Sequence, residues 1–242
     1  EIGAMSEKAV LITSALAALS SGLAAWALYK WLSTEESLRK YTEKFEQLRE
    51  VQRMLVQHFG DPNNLTHLKD LIPKSAHNYQ ARIAEFCKTM CDKYSVPRLR
   101  VLDVGCGVGG ATYHLSKDFS EVIGTDISYA MITSSQQLKQ FAEFGTPFPS
   151  EGGKHITLHK MRIPEGSDRS KVTFWDEDVC SLIYRCGKFD CILVSNTITH
   201  LHTPLDFLSD IKEYVNPHGL LIIADTYDWI EGPEVALQGK GR

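Results

Sequence analysis

The stretch Leu99-Arg-Val-Leu-Asp-Val-Gly-Cys-Gly-Val-Gly-Gly-Ala-Thr112 constrains the fold more than any other part of the chain. Arg100 to Val104 is a short apolar run rich in branched residues, and it reads as a buried strand. Gly105, Gly107 and Gly109, with Gly110 beside them, predict a tight turn whose backbone N–H groups can approach a ligand with no side chain in the way. Ala111 to Lys117 then has helical composition. A second apolar strand, Val122 to Thr125, ends in Asp126, with Ile127 after it. An acid at that place can accept hydrogen bonds from both hydroxyls of a ribose. Strand, glycine turn, helix and strand in this order predict an α/β chain with a doubly wound parallel sheet.

The spacing Gly105-x-Gly-x-x-Gly110 also fits a dinucleotide fingerprint, so the glycines alone do not choose a ligand. Asp103 helps to choose. A carboxylate two residues before the turn would repel the pyrophosphate of NAD, which disfavours a nicotinamide-dependent oxidoreductase. S-adenosylmethionine (SAM) carries no phosphate, and its ammonium and sulfonium favour a nearby negative charge. The pattern Asp103-x-Gly-x-Gly-x-Gly109 followed by the strand-end acid Asp126 resembles that of the Rossmann-like SAM-dependent methyltransferases. The resemblance implies that Asp103, Gly105, Gly107, Gly109, Asp126 and Ile127 line a SAM site.

A chain of 242 residues allows one good-sized α/β domain plus an appendage, and its net charge of −4 gives no sign of a nucleic-acid surface. The six cysteines form no metal-ligand spacing: Cys87 and Cys91 lie one helical turn apart with no second pair. Cys106, Cys180 and Cys191 fall on or beside expected strands, where cysteine acts as a small core residue. No metal is therefore expected.

Ala9 to Tyr29 has no charged residue over 21 positions and is bracketed by Lys8 and Lys30, the length of a bilayer-spanning helix. Trp26, Tyr29 and Trp31 gather at one end, and Ser14, Ala18 and Gly22 make a small-residue stripe suited to packing on another membrane helix. A buried soluble helix and a signal-peptide core are the alternatives, while the absence of arginine from the first 30 residues argues against an organelle-targeting segment. Lysine and arginine are denser after the segment than before it, which places the rest of the chain on the interior side of the membrane. The expected organisation is an anchor over residues 1–32, a helical cap over 33–97 and the ligand-binding domain over 98–242.

In the cap, Ser33 can start a helix from Thr34 to about His58, stopped by Gly60-Asp-Pro, and Asn78 to Lys93 forms a second amphipathic helix. Beyond Asp126 the expected elements are a helix over Ser128–Phe144, a polar insertion over 145–170 with one strand at Ile156–Met161, and a third strand over Val172–Asp178. Asp178, followed by Val179, can accept a hydrogen bond from an adenine amino group, with Asp176 the second candidate. The fourth strand is Phe189–Asn196, and Thr197 to His200 crosses the carboxyl edge where ligands bind in open α/β sheets. A helix over Pro204–Val215, a turn at Asn216–Gly219 and a fifth strand over Leu220–Asp225 complete the pattern.

Phe45-Glu46, Leu55-Val-Gln-His58-Phe-Gly60, Asn78-Tyr-Gln-Ala-Arg82, Ile163-Pro-Glu-Gly-Ser-Asp-Arg-Ser-Lys-Val-Thr-Phe174 and Tyr227-Asp-Trp229, in this order, resemble the 4-mercaptohistidine N-methyltransferase family. Members of that family also form the C-terminal domain of ovothiol-synthesis enzymes. The resemblance covers roughly residues 45 to 232 and implies methyl transfer from SAM to an imidazole nitrogen of a small molecule. In the fused enzymes a sulfoxide-synthase part precedes this domain, and a membrane segment is expected in its place here. Rossmann-like methyltransferases end in an antiparallel strand pair, whereas only 17 residues follow Asp225, so a five-stranded sheet without that pair is expected.

A neutral imidazole is already nucleophilic, so an acceptor that fixes its tautomer suffices. Asn196 and His200 lie where such a group belongs, and His200 can equally be a surface loop histidine. His58 and Tyr79 reach the substrate only if the N-terminal helices cover the site, and His58 also reads as a helix-end histidine. A catalytically weak accessory subunit of a membrane complex is the alternative reading. The anchor is testable directly: the full chain is expected to stay in the membrane pellet after carbonate extraction, and release by carbonate would overturn the span at residues 9–29.

Overall fold

The computed structural model describes residues 43, 45–60, 78–149, 156–181, 187–201 and 203–226. All but Glu43 of these belong to one compact unit, Lys44–Arg242. The expected span at 9–29 and the Tyr227-Asp-Trp229 motif lie outside the described residues. Among the described residues no helix is long and apolar enough to cross a membrane.

Two helices come first, α1 (Leu48–Phe59) and α2 (Tyr79–Lys93). Then follow β1 (Arg100–Val104), α3 (Gly110–Leu115), β2 (Glu121–Asp126) and α4 (Tyr129–Phe141). A hairpin, β3 (Glu143–Pro149) and β4 (Ile156–Arg162), leads into β5 (Val172–Asp176). The chain continues through β6 (Phe189–Ser195), α5 (Pro204–Ile211) and β7 (Val215–Ala224). The main sheet has the order β5-β2-β1-β6-β7, and all its pairings are parallel.

Alternation along the central strands divides the core between the two faces of the sheet. Val101 of β1, Val122 of β2 and Cys191 and Leu193 of β6 join a cluster with Val51 and Leu55 of α1, Ile83 and Cys87 of α2, Leu115 of α3 and Leu138 of α4. Leu102, Val104, Ile123, Ile192 and Val194 point the other way, onto Phe207 and Ile211 of α5. Both faces of the middle strands are buried, which is why these strands read as continuous apolar runs. Helices α1 and α2 share the first cluster, so the expected cap is part of the domain core.

Several expected elements differ, and the third strand stops at Asp176 instead of Asp178. The helix after Asp126 stops at Phe141 instead of Phe144, because Ala142 adopts a left-handed conformation (φ 65°) and the chain turns into β3. The expected polar insertion thus begins with a strand. Thr146, His159 and Met161 of this hairpin are buried, while Leu158 and Ile156 face solvent. Gly145, Pro147 and Pro149 disguise β3 in the sequence, since proline is tolerated only in a strand with a free edge. The expected turn at Asn216–Gly219 is a bulge inside β7. Val215 pairs with Phe189, the register breaks, and pairing resumes at Leu220 with Cys191.

Asp190 holds this bulge. Its Oδ1 accepts from the Asn216 side-chain amide at 2.8 Å, and its Oδ2 accepts from the backbone N–H groups of Arg100 and Leu99 at 2.8 and 3.2 Å. The residue is 4% exposed, and its removal leaves part-buried donors at the start of β1 and in β7 without their acceptor. Asp190→Ala is expected to destabilise the protein by about 3 kcal/mol in urea unfolding. A midpoint equal to that of the wild type would show that the bulge is held elsewhere.

Candidate functional site

The carboxyl ends of β2, β1 and β6 form one edge, and the sheet order reverses between β1 and β6. Ligands of open α/β sheets bind at such a switch point. The loop from Gly105 to Gly109 sits there, with φ of 66°, 54° and 83° at its three alternate glycines. A Cβ at Gly105 would lie 2.2 Å from Thr197 Oγ1, and one at Gly109 would lie 2.7 Å from the Phe174 ring. Thr197 donates to the carbonyls of Val104 and Ser195 at 3.1 and 2.9 Å, so it cannot give way cheaply. The loop is therefore backbone pressed against packed side chains.

Two carboxylates meet below it. Asp103 is 2% exposed, and its Oδ2 accepts from the Thr112 hydroxyl at 2.6 Å. Burial pushes its pKa up to about 7 against the pull of Thr112, and the neighbouring charge of Asp126 adds to the rise. Asp126 accepts from Gly107 N–H at 2.8 Å and from Ser128 N–H at 2.9 Å. Burial raises its pKa as well, and the charge of Glu46 contributes. No basic group offsets either acid. Two like charges close together, with no cation between them, suit a ligand that brings a positive charge. A carboxylate has about four acceptor positions, so Asp126 keeps capacity beyond its two backbone partners.

Helix α1 covers the loop. Met54 Cε lies 3.2 Å from where a Cβ on Gly107 would be. His58 Nδ1 accepts from Gly110 N–H at 3.3 Å, which puts the ring proton on Nε2, 2.9 Å from the side-chain amide of Gln80. That amide must then present its oxygen to the ring. Both ring nitrogens are thus engaged within the protein, at the glycine loop, where the sequence offered His58 as a substrate contact or a helix-end histidine. Burial holds its pKa down to about 4, so the ring is neutral at ordinary pH. Ahead of α1, the Phe45 carbonyl accepts from Ser128 Oγ at 3.2 Å, and Glu46 Oε2 accepts from Ala130 N–H at 3.1 Å. Glycine 110 is the sequence signal for this docking, because a Cβ there would meet His58 Nδ1 at 2.7 Å.

On the other side of the switch point, Tyr79 Oη lies 2.8 Å from Ser195 Oγ at the end of β6. Asn196 follows in a left-handed conformation (φ 51°), exposed at the edge, with its N–H on the Ala224 carbonyl at 2.8 Å. His200 stands in the short turn Ile198–His200, its ring edge-on to Phe45 with 6.3 Å between centroids. Thr199 ties that turn to Asp225, whose Oδ1 accepts its hydroxyl at 2.8 Å. The structure therefore brings Tyr79, Asn196 and His200 to one end of β6, beside the glycine loop. Sequence reasoning placed Ser195 and Thr197 at this edge but gave neither a role, since their importance comes from what packs on them.

Beyond β5, Asp178 Oδ1 accepts from Cys180 N–H at 2.9 Å and closes the turn that carries Val179. Asp176 is aligned with Asp126 across β5 and β2 and is exposed. Both candidates for an adenine contact stand on the β2 side of the edge, beside half-buried Ile127. Among the described residues no group of three or more His, Cys, Asp or Glu side chains is arranged for a metal ion.

A family model described as a methyltransferase domain matches residues 75–234. Among curated proteins, the chain is 25% identical over 221 residues to a 2-methyl-6-phytyl-1,4-hydroquinone methyltransferase of Synechocystis sp., covering 89% of this chain and 60% of that one. It is also 25% identical over 130 residues to phosphoethanolamine N-methyltransferase 3 of Arabidopsis thaliana, covering 53% and 21%. A polyketide synthase-nonribosomal peptide synthetase of Phaeosphaeria nodorum is 25% identical over 156 residues, covering 61% of this chain and 3% of the synthetase. The chain thus spans less than two thirds of the length of each of these relatives. Among solved structures, the SAM-bound amino pentose methyltransferase of Micromonospora echinaspora superposes with a TM-score of 0.46 at 16% identity, covering 62% of this chain and 52% of that one.

The acid pair has a measurable consequence. Asp103 titrates near 7 in the folded protein and near 3.8 when unfolded, so between these values the fold holds a proton that the open chain has released. Stability therefore falls as pH rises through that window, by about 4 kcal/mol from this group, and levels off above it. Asp103→Asn is expected to remove this part of the slope in urea titrations from pH 4 to 8. Equal slopes in the two proteins would place the proton elsewhere.

Proposed function

The chain belongs to the methyltransferase-domain family, and on that footing we propose that it transfers a methyl group from SAM to a ring nitrogen of a small imidazole acceptor of the 4-mercaptohistidine type. SAM supplies a methyl carbon activated by a positively charged sulfur. One observation carries the reading: two carboxylates, buried Asp103 and half-buried Asp126, stand with no basic partner beside a loop of bare backbone. That arrangement welcomes a cation and has no place for a pyrophosphate.

In this reading Asp126 takes the ribose hydroxyls and Asp178 or Asp176 takes the adenine amino group, with Ile127 and Val179 as apolar neighbours of the base. Asp103 acts through space and through Thr112: a cation bound at the loop favours loss of its proton, and the negative charge it then carries faces that cation. Asn196 and His200 orient the acceptor at the end of β6. Transfer to an already nucleophilic nitrogen requires chiefly that donor and acceptor be held close and in line. The phosphoethanolamine N-methyltransferases among the relatives support nitrogen as the acceptor atom, and the motifs from Phe45 to Phe174 support an imidazole.

Asp126→Ala is expected to weaken SAM binding about tenfold to a hundredfold by calorimetric titration, since two ribose hydroxyls lose their partner. The wild type is expected to transfer label from SAM to 4-mercaptohistidine. Equal SAM affinities would remove Asp126 from the ribose, and SAM binding without any transfer would overturn the imidazole acceptor.

A further inference from the structure

The first residue of α2 crosses to the far end of the sheet, and its hydroxyl lands on the last residue of β6. Tyr79 Oη and Ser195 Oγ are 2.8 Å apart although 116 positions separate them in the chain. Both side chains are half-buried, so the pair is reachable from the edge. Val194 is in register with Val104, so Ser195 stands level with Gly105, across the switch point from Asp126. The Ser195 carbonyl is already taken by the Thr197 hydroxyl at 2.9 Å, and Thr197 packs under Gly105. These contacts hold the Ser195 backbone in place, and Tyr79 Oη is the partner its Oγ meets.

We propose that the Tyr79–Ser195 hydroxyl pair is the acceptor-binding device of this site, and that it selects a neutral nitrogen acceptor that still carries an N–H. The proposal rests on the methyltransferase reading and adds to it a further contact that orients the acceptor beside Asn196 and His200. Within the pair one hydroxyl donates to the other, which leaves one O–H hydrogen and free oxygen lone pairs for a third group. An azole or amine N–H that donates to such an oxygen has its direction fixed, and with it the direction of the reacting lone pair. Hydroxyl oxygens are weak bases and leave the acceptor neutral. Only a neutral nitrogen keeps the electron pair that forms the new N–CH3 bond. As that bond forms, the S–CH3 pair returns to sulfur, the positive charge passes to nitrogen, and the N–H proton then leaves to solvent. A quaternary ammonium lacks both the lone pair and the N–H and is excluded. The guanidinium carbon of Arg82, one turn on in the same helix, lies 6.0 Å from the centre of the Tyr79 ring.

The alternative is a tie between α2 and the sheet with no contact to substrate, and the test separates the two. Tyr79→Phe, Ser195→Ala and Ser195→Thr are made in the full chain. Binding of S-adenosylhomocysteine, thermal midpoint, binding of 15N-imidazole to the S-adenosylhomocysteine-loaded protein, and labelled transfer to 4-mercaptohistidine are measured. The expected result is unchanged S-adenosylhomocysteine affinity, imidazole binding weakened and KM raised about tenfold in the Phe and Ala variants, and recovery in Ser195→Thr. Loss of imidazole binding in the variants while the wild type transfers nothing to 4-mercaptohistidine would uphold the pair and remove that acceptor from the function. Variants that bind imidazole as the wild type does, that lose only thermal stability, or a wild type that binds no imidazole, would overturn the pair as an acceptor site.

Discussion

A carboxylate inside a parallel strand, covered on both faces, is stable only if something compensates its desolvation. Asp103 has only neutral hydrogen bonds, from the Thr112 hydroxyl at 2.6 Å and the Thr112 backbone, and burial leaves its pKa near 7. Much of the site depends on making room for that bond. Thr112 and Cys106 fit against the sheet because residue 124 on the neighbouring strand is glycine: a Cβ there would lie 2.9 Å from Thr112 Oγ1 and from Cys106 Sγ. The first turn of α3 is thus drawn down over Asp103, and the glycine loop is stretched between that turn and β1. The strain left at Asp103 is relieved by any ligand that brings a positive charge, so binding and electrostatics are linked by construction.

The N-terminal helices complete the site from outside. Helix α1 lays Met54 and His58 on the loop, and the residues before it close on Ser128 and Ala130. Ser128 also donates its N–H to Asp126, so the segment ahead of α1 and the strand-end acid share one anchor. Helix α2 reaches the opposite side of the switch point through Tyr79. The loop is therefore held between sheet and helices, with the acids on one side and the hydroxyl pair on the other. A group entering this edge meets charge at β2, bare backbone at β1 and hydroxyls at β6.

The strands were legible because the middle of a parallel sheet is buried on both faces, which forces the runs at Arg100–Val104, Glu121–Asp126 and Phe189–Ser195 to be apolar. The glycine turn and Asp126 were legible for a related reason, since each is demanded by local backbone or by position at a strand end. The hairpin strand β3 was not legible, because its prolines and glycine carry a loop composition and only pairing with β4 makes it a strand. The bulge in β7 was half legible: Asn216–Gly219 reads as a turn, but its place inside a strand depends on Asp190, a distant side chain.

By itself, then, the sequence determined the strand order's opening unit, the open backbone of the glycine loop and the two acids that give the edge its charge. Each is a property of neighbouring residues, set by sterics and alternation over a few positions. Tertiary structure alone decided that His58 serves Gly110 and Gln80, that Thr197 sits under Gly105, and that Tyr79 meets Ser195. Those meetings join positions 22 to 116 residues apart, and what fixes them is how two helices pack on a twisted sheet. No local pattern encodes that geometry, because it exists only once both faces of the core have closed.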